Sequence, residues 1–259
     1  MKRVLITGRN GYIATSLLAF LKGFPKEYEA ESVSLRGCKW EEMDFSGYDA
    51  VVHCAGFAHA RESAENAHLF YRINRDLTVA VAEKAKAEGV RQFIYLSSLS
   101  VYGMDEGVIT LKTELHPKTA YGRSKLEAER SLQAMETETF RVTILRPPMV
   151  YGEGCKGNYQ TLVKLARMLP AVPSYTNRRS AVSITRLCEF VKARIDNEER
   201  GVFVPQDKQY LSTCAEIKRI AAERGRVILT MSILNVFPAI LRRYTETGRK
   251  AFGNLEYRE

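Results

Sequence analysis

Closely spaced cysteines are missing from this sequence. Its five, Cys38, Cys54, Cys155, Cys188 and Cys214, are scattered, odd in number and form no CxxC. That argues against a secreted disulfide framework and a zinc site, and fits a reducing cytosol. No long hydrophobic run occurs either: the most apolar late stretch, Val227 to Leu241, contains Asn235 and Pro238 and is too short to span a bilayer. Met1-Lys2-Arg3 leads straight into Val4-Leu5-Ile6, so no signal peptide is visible and a cytoplasmic protein is expected. Glycine and proline number only 17 and 8, which excludes collagen-like and low-complexity chains. Of the four histidines, His59, His68 and His116 do not fall at metal-ligand spacing with acidic residues, and no metal is expected.

What is present is an ordinary globular composition. The 259 residues are 45% hydrophobic and 27% charged, enough for one large domain or a main domain with an appendage. Lys and Arg exceed Asp and Glu by 39 to 30, a surplus that favours anionic ligands such as nucleic acid, anionic lipid or phosphorylated small molecules. The basic residues are scattered, with short clusters at Arg178-Arg179, Arg242-Arg243 and Arg249-Lys250, and read as solvated surface charge. Neither nucleic acid nor stable membrane insertion is expected.

The first 150 residues alternate β-branched runs with helical patterns, the form of a doubly wound parallel sheet. Strands are expected over Arg3–Thr7, Ala30–Leu35, Ala50–Cys54, Gln92–Ser97 and Val142–Arg146. Helices are expected over Tyr12–Lys22, Leu69–Glu88 and Tyr121–Glu136. Between Arg36 and Ala50 there is too little chain for a crossover helix and another strand, so the α/β fold should be abbreviated there. After Gly152 strands become sparse. The reading is a dinucleotide-binding domain over 1–152 and a smaller, mainly helical substrate lobe over 153–259, reached by the loop Tyr151–Gly157, with room for the two to interleave.

Three segments carry chemistry. Val4-Leu5-Ile6 runs into Thr7-Gly8-Arg9-Asn10-Gly11-Tyr12-Ile13-Ala14, where an apolar strand meets a glycine turn and then a helix. Glycine permits the tight turn and lets backbone approach a pyrophosphate at the helix N-terminus. Second, Tyr121 and Lys125 lie one helical turn apart. A phenol is a poor base at neutral pH, but a neighbouring ammonium favours its ionised form and makes it usable for proton transfer. Third, Ser97-Ser98-Leu99-Ser100 closes an expected strand, at the end that faces the ligand crevice in a parallel sheet. The second strand ends at Arg36, where NAD sites often have an acidic residue; with Arg9 it suits a 2′-phosphate, so NADP is favoured over NAD. Cys54 beside His53 reads as a small buried residue rather than a nucleophile.

These segments together resemble the extended short-chain dehydrogenase/reductases, the epimerase/dehydratase branch acting on nucleotide sugars. Thr7-Gly8-x-x-Gly11-x-x-Ala14 is similar to its TGxxGxxG loop, with Ala14 replacing the last glycine. Asp44-Phe45 stands where the family has an Asp–apolar pair beside the adenine. Val52-His53-Cys54-Ala55-Gly56 resembles the strand end lining the cofactor, and Asn74 matches an Asn on the next helix. Ser97-Ser98-x-x-Val101-Tyr102-Gly103 resembles SSxxVYG, and Tyr121-Gly122-x-Ser124-Lys125 with Glu129 is similar to YGxSKxxxE. Leu145-Arg146-Pro147-Pro148-x-Val150-Tyr151-Gly152 resembles LRPxxVYG, the segment beside the nicotinamide. Met149 stands where many relatives have a substrate-contacting Asn. Arg179-Ser180-Ala181-Val182-Ser183 matches a segment whose Arg pairs with the substrate diphosphate.

The resemblance implies an NAD(P)-dependent oxidoreductase of nucleotide sugars, probed by Ser98, Tyr121 and Lys125 as the catalytic set. Cofactor contacts would come from Gly8, Arg9, Asn10, Gly11, Tyr12, Ile13, Arg36, Asp44, Phe45, Cys54, Ala55, Gly56, Asn74, Ser97, Pro147 and Pro148, and substrate contacts from Ser100, Met149 and Arg179. The substrate would be UDP-linked, the reaction 4-epimerisation or 4-keto reduction in polysaccharide biosynthesis. Dehydration is disfavoured, because Leu99-Ser100 stands where dehydratases often have Asp-Glu. The resemblance also implies a homodimer built on helices 69–88 and 121–136, and a longer C-terminus than one ending at Glu259. The competing expectation is a Rossmann protein that senses dinucleotides without catalysis.

Overall fold

The computed structural model describes residues 1–58, 60, 62–155 and 157–258, with only the backbone of Asn158. His59, Lys156 of the expected loop and Glu259 lie outside the described residues. Contacts divide the chain into two units: residues 1–103, 115–148 and 183–205 form the first, residues 104–114, 149–182 and 206–259 the second.

In the first unit the strands are β1 (Lys2–Thr7), β2 (Tyr28–Val33), β3 (Ala50–His53), β4 (Gln92–Leu96), β6 (Arg141–Leu145) and β10 (Gly201–Phe203). They form one parallel sheet in the order β10-β6-β4-β3-β1-β2. Every residue of β3 and β4 is buried, as expected of strands covered on both faces. Helix α1 (Tyr12–Lys22) buries Ala14, Leu17 and Leu21, a helical stripe, and stops at Gly23. The segment from 34 to 49 has neither helix nor strand, so β2 is the sheet edge and the fold is shortened there.

The expected helix 69–88 is three pieces: α2 (Ala67–Tyr71), a π-helical turn at Arg72–Asp76, and α3 (Leu77–Ala87). Helix α4 (Ala120–Met135) follows β4, and α6 (Ile184–Asp196) precedes β10. Leu5, Val51, Phe93, Tyr95 and Ile144 of the sheet pack against Val81, Ala82 and Ala85 of α3 and Ala128 and Leu132 of α4.

The second unit holds short strands: β5 (Gly107–Ile109) pairs with β12 (Leu255–Tyr257), β7 (Met149–Tyr151) with β9 (Ala181–Ser183), and β8 (Ala171–Pro173) with β11 (Leu229–Met231). Its helices are α5 (Asn158–Met168), α7 (Thr213–Ala222), α8 (Val236–Tyr244) and α9 (Glu246–Phe252). Among the described residues, no helix is long and apolar enough to cross a membrane.

Candidate active site

The turn after β1 is built around Gly8, whose φ of 86° is costly for any residue with a side chain. A Cβ there would lie 3.0 Å from the backbone of Ala55, so only glycine lets the ends of β1 and β3 approach so closely. The Gly8 and Arg9 amides donate to the Val33 carbonyl at 2.9 and 3.1 Å, fixing the turn against β2. Gly11 begins α1 with no side-chain cap, so amides of the first turn are left for an anion. Arg9, Asn10 and Gly11 are exposed, and Tyr12 and Ile13 half-buried. This narrow, glycine-walled turn fits a dinucleotide pyrophosphate. Arg9 Nε donates to the Ser32 carbonyl at 2.8 Å, which keeps its guanidinium at the end of β2. Arg36 is exposed three residues beyond that strand.

Below the turn His53 is fully buried, its ring nitrogens 3.1 Å from Thr7 Oγ1 and 3.0 Å from Thr78 Oγ1. Burial, assisted by the Lys125 charge, pushes its pKa down to about 3, so the ring is neutral. Cys54 and Ala55 are half-buried and Gly56 exposed. Burial pushes the Cys54 thiol up to about 12, which leaves it protonated and a poor nucleophile.

Ser98 follows β4 and caps a 3₁₀ turn at Leu99–Tyr102, accepting from the Ser100 amide at 3.1 Å and donating to Ser100 Oγ at 3.0 Å. The same hydroxyl acts on the Tyr121 phenol, whose pKa it lowers. Tyr121 is brought there by the first turn of α4, which Thr119 caps by accepting from the Gly122 amide at 3.1 Å. At Gly122 a Cβ would lie 2.7 Å from the Ser100 carbonyl oxygen, so glycine lets this turn press against the serine segment. Lys125, one turn on, is buried; its Nζ donates to the Leu96 carbonyl at 2.8 Å and sits 4.7 Å from the Tyr95 ring centroid. Burial lowers its pKa to about 8, against the pull of Cys54 and Glu129. Burial also raises Tyr121, and the Ser98 hydroxyl lowers it in part. The shift of the phenol is thus set by burial and Ser98, with no part from Lys125.

A model of the NAD dependent epimerase/dehydratase family matches residues 4–174. The UDP-glucose 4-epimerase of Vibrio cholerae is 32% identical over 249 residues, covering 85% of this chain and 75% of that protein. The chain belongs to the NAD dependent epimerase/dehydratase family. Two solved structures share the fold. UDP-glucuronic acid 4-epimerase from Bacillus cereus, in complex with NAD, matches with a TM-score of 0.74 and 18% identity, covering 96% of this chain and 94% of that one. The dTDP-4-dehydrorhamnose reductase from Bacillus anthracis, in complex with NADP, matches with a TM-score of 0.72 and 18% identity over 97% and 98%.

Several residues expected at the cofactor also have partners within the protein. The side chain of Phe45 is fully buried in the core with Trp40 and Tyr48. Asp44 is exposed, and the Ser46 hydroxyl together with the Ser46 amide, which donates to the carboxylate at 2.8 Å, holds its pKa below the ordinary value. Asn74, also fully buried, accepts from the Phe57 amide at 2.7 Å and donates to the Phe57 carbonyl and Ser124 Oγ, so it shapes the loop after β3. The hydroxyl of Ser97 turns inward onto Glu129. Pro147 is buried, its carbonyl accepting from the Leu99 amide at 3.1 Å, and Pro148 is half-buried.

Glu129 and Arg146, both within the motif segments, are buried. In the structure they form a buried ion pair at 2.6 Å, and Arg146 Nη1 also donates to Tyr102 Oη at 2.8 Å. This network holds α4, β4 and β6 behind Lys125. A glutamate two turns after a tyrosine, on an otherwise buried helix face, was the available signal. Met149 and Arg179 belong to the second unit. Arg179 Nη1 donates to the carbonyls of Asp105, Arg249 and Gly253 at 3.3, 3.4 and 2.9 Å, fixing the guanidinium there.

Proposed function

We propose that this chain is an NAD(P)-dependent nucleotide-sugar oxidoreductase, a 4-epimerase or 4-keto reductase working through Ser98, Tyr121 and Lys125. The close packing of the first turn of α4 against the serine segment after β4 carries the reading, because it brings Tyr121 to Ser98, whose hydroxyl lowers the phenol's pKa. A bound dinucleotide supplies hydride acceptance and donation. Gly8 to Ile13 would hold its pyrophosphate, and Cys54 to Gly56 and Pro148 would line its path. Arg9 and Arg36 favour a 2′-phosphate and hence NADP.

Tyr121 exchanges the proton of the reacting sugar oxygen, and Ser98 holds that oxygen in place. With its pKa raised, the phenol keeps its proton at neutral pH, the form that can donate to a ketone. The opposite direction requires the Lys125 ammonium to favour the phenolate. Ser100 and Met149 are assigned to the sugar, and Arg179 to the diphosphate of a UDP-linked substrate, the nucleotide in the names of the Vibrio cholerae and Bacillus cereus relatives. The scattered cysteines suit work in the cytoplasm, and helices 69–88 and 121–136 are the proposed homodimer interface.

Incubation with a panel of nucleotide sugars, with and without NADPH, followed by mass spectrometry, tests the reading. Conversion without added NADPH identifies an epimerase, and consumption of NADPH a reductase. Tyr121→Phe should lose roughly 10²–10⁴-fold in turnover while binding dinucleotide like the parent, NADP more tightly than NAD. Undiminished turnover in Tyr121→Phe would remove the catalytic assignment. A parent chain that binds dinucleotide but converts nothing in the panel would favour a sensing role.

A further inference from the structure

The second unit displays apolar side chains that a globular protein ordinarily buries. Of thirteen large hydrophobic residues exposed among the described residues, nine lie between Val227 and Tyr244. Isolated exposed hydrophobics are unremarkable in any protein, but a contiguous patch beyond ~300–600 Å² marks a surface that meets something apolar. Strand β11 exposes all three of its residues, and Ile233 just after it is 78% exposed. On α8, Val236, Phe237, Ile240, Leu241 and Tyr244 recur at helical spacing and share one side of the helix. Pro238 faces away from them and is buried. Behind α8, a Cβ on Gly248 would lie 2.0 Å from the Leu241 carbonyl oxygen, so α9 backs the helix closely and leaves its apolar side outward.

Charge along this segment is predominantly basic. From Arg224 to Lys250 there are six basic residues and a single acid, Glu246. Arg242 is paired with Glu106, and Lys250 with Glu246, which leaves the basic excess on Arg224, Arg226, Arg243 and Arg249. The Arg243 guanidinium lies 5.6 Å from the ring of the 70%-exposed Tyr244, a cation and an amphipathic aromatic side by side at the edge of an apolar face. This pairing of residues suits the boundary between lipid tails and headgroups. A second copy of the same face would bring two basic margins together, which like-charge repulsion opposes. An anionic headgroup layer over an apolar interior complements both the margin and the face. At ~1.5 Å per residue, the nine residues of α8 cover less than half of a ~30 Å hydrocarbon core, so the helix can lie along a bilayer but not cross it.

We propose that Val227–Tyr244 is an interfacial surface through which the chain binds anionic bilayers, with Phe237, Ile240 and Tyr244 entering the headgroup region. This attribution of partner goes beyond the active-site reading and does not depend on it. The test is co-sedimentation of the full chain with phosphatidylglycerol-containing vesicles and with pure phosphatidylcholine vesicles. The parent should bind the anionic vesicles at least about tenfold more tightly, and more weakly as salt rises. Phe237→Ser with Ile240→Ser should weaken that binding at least about tenfold with an unchanged far-ultraviolet circular dichroism spectrum. Arg243→Glu, which alters only a charge at the margin, should weaken it as well and serves if the double variant misfolds. Failure of the parent to bind anionic vesicles, or full binding by a folded Phe237→Ser, Ile240→Ser variant, overturns the proposal. So does a dimer in sedimentation velocity that those two substitutions dissolve, which would make the face a contact between copies.

Discussion

Strands β3 and β4 bury every side chain they carry, whereas β11 buries none. The contrast extends to the units around them. Around the six-stranded sheet even polar and charged groups, His53, Lys125, Glu129 and Arg146, are taken out of water and each is given specific partners. In the second unit three-residue strands and the nine-residue α8 leave large apolar side chains outside. A long sheet covered on both faces can hold reacting groups in fixed geometry, while short elements present surface. Damage to the two regions should therefore have different consequences.

The largest stability effect is expected at the buried ion pair. Glu129→Leu leaves the Arg146 guanidinium buried without its carboxylate and removes the acceptor of Ser97, for a loss of about 3–5 kcal/mol in urea unfolding. Combining it with Arg146→Met should recover most of that loss, because two apolar residues leave no unpaired charge. A single variant within error of the parent would show that water reaches this site.

A smaller effect follows from His53. Its folded-state pKa of about 3 lies below its ordinary 6.5, so the unfolded chain takes up a proton that the folded chain refuses. The stability this gives is present above pH 6.5 and is lost as pH falls toward 3. Between pH 7 and pH 5 the parent should lose about 2 kcal/mol more than His53→Gln, measured by denaturant unfolding at both pH values. Equal losses would mean that the imidazole is not sealed from solvent.

The smallest effect belongs to the exposed face. Phe237→Ser with Ile240→Ser should change unfolding stability by no more than about 0.5 kcal/mol per site, since neither side chain leaves a packed core. A loss of several kcal/mol would place them in a core and erase the contrast between the units.

The sequence made the first unit far more legible than the second. Helix α1 lies where its pattern put it, and β1, β3, β4 and β6 fall within a residue or two of expectation, because uniform apolar runs and glycine punctuation are local signals. Strand β2 starts earlier, at Tyr28, whose ring is buried and whose hydroxyl reaches Asp196, a partner too distant in sequence to be foreseen. The π-turn at Arg72–Asp76 was hidden because one extra residue per turn barely disturbs a helical pattern; a polar Asn74 on the inner side was its trace. The burial of the Phe45 ring is not legible from the Asp44-Phe45 motif, because an aromatic there fills the core without any local pattern that marks it. Strands of three residues such as β10 and β11 are below the length at which alternation or uniform burial can be recognised.

Strand β10 carries a consequence for the order in which this chain can fold on the ribosome. It completes the sheet by pairing Gly201–Phe203 with Thr143–Leu145, but residues 149–182, which belong to the other unit, are synthesised in between. Lys2, the second residue of the chain, likewise donates from its side chain to the carbonyl of Ile195, near the end of α6 and also synthesised after that interval. Five strands can therefore associate while the nascent chain is still short, leaving β6 as a temporary edge with its outer backbone groups unpaired. Late closure of this kind adds long-range contacts, slows folding and leaves an edge open to other chains until residue 203 has emerged.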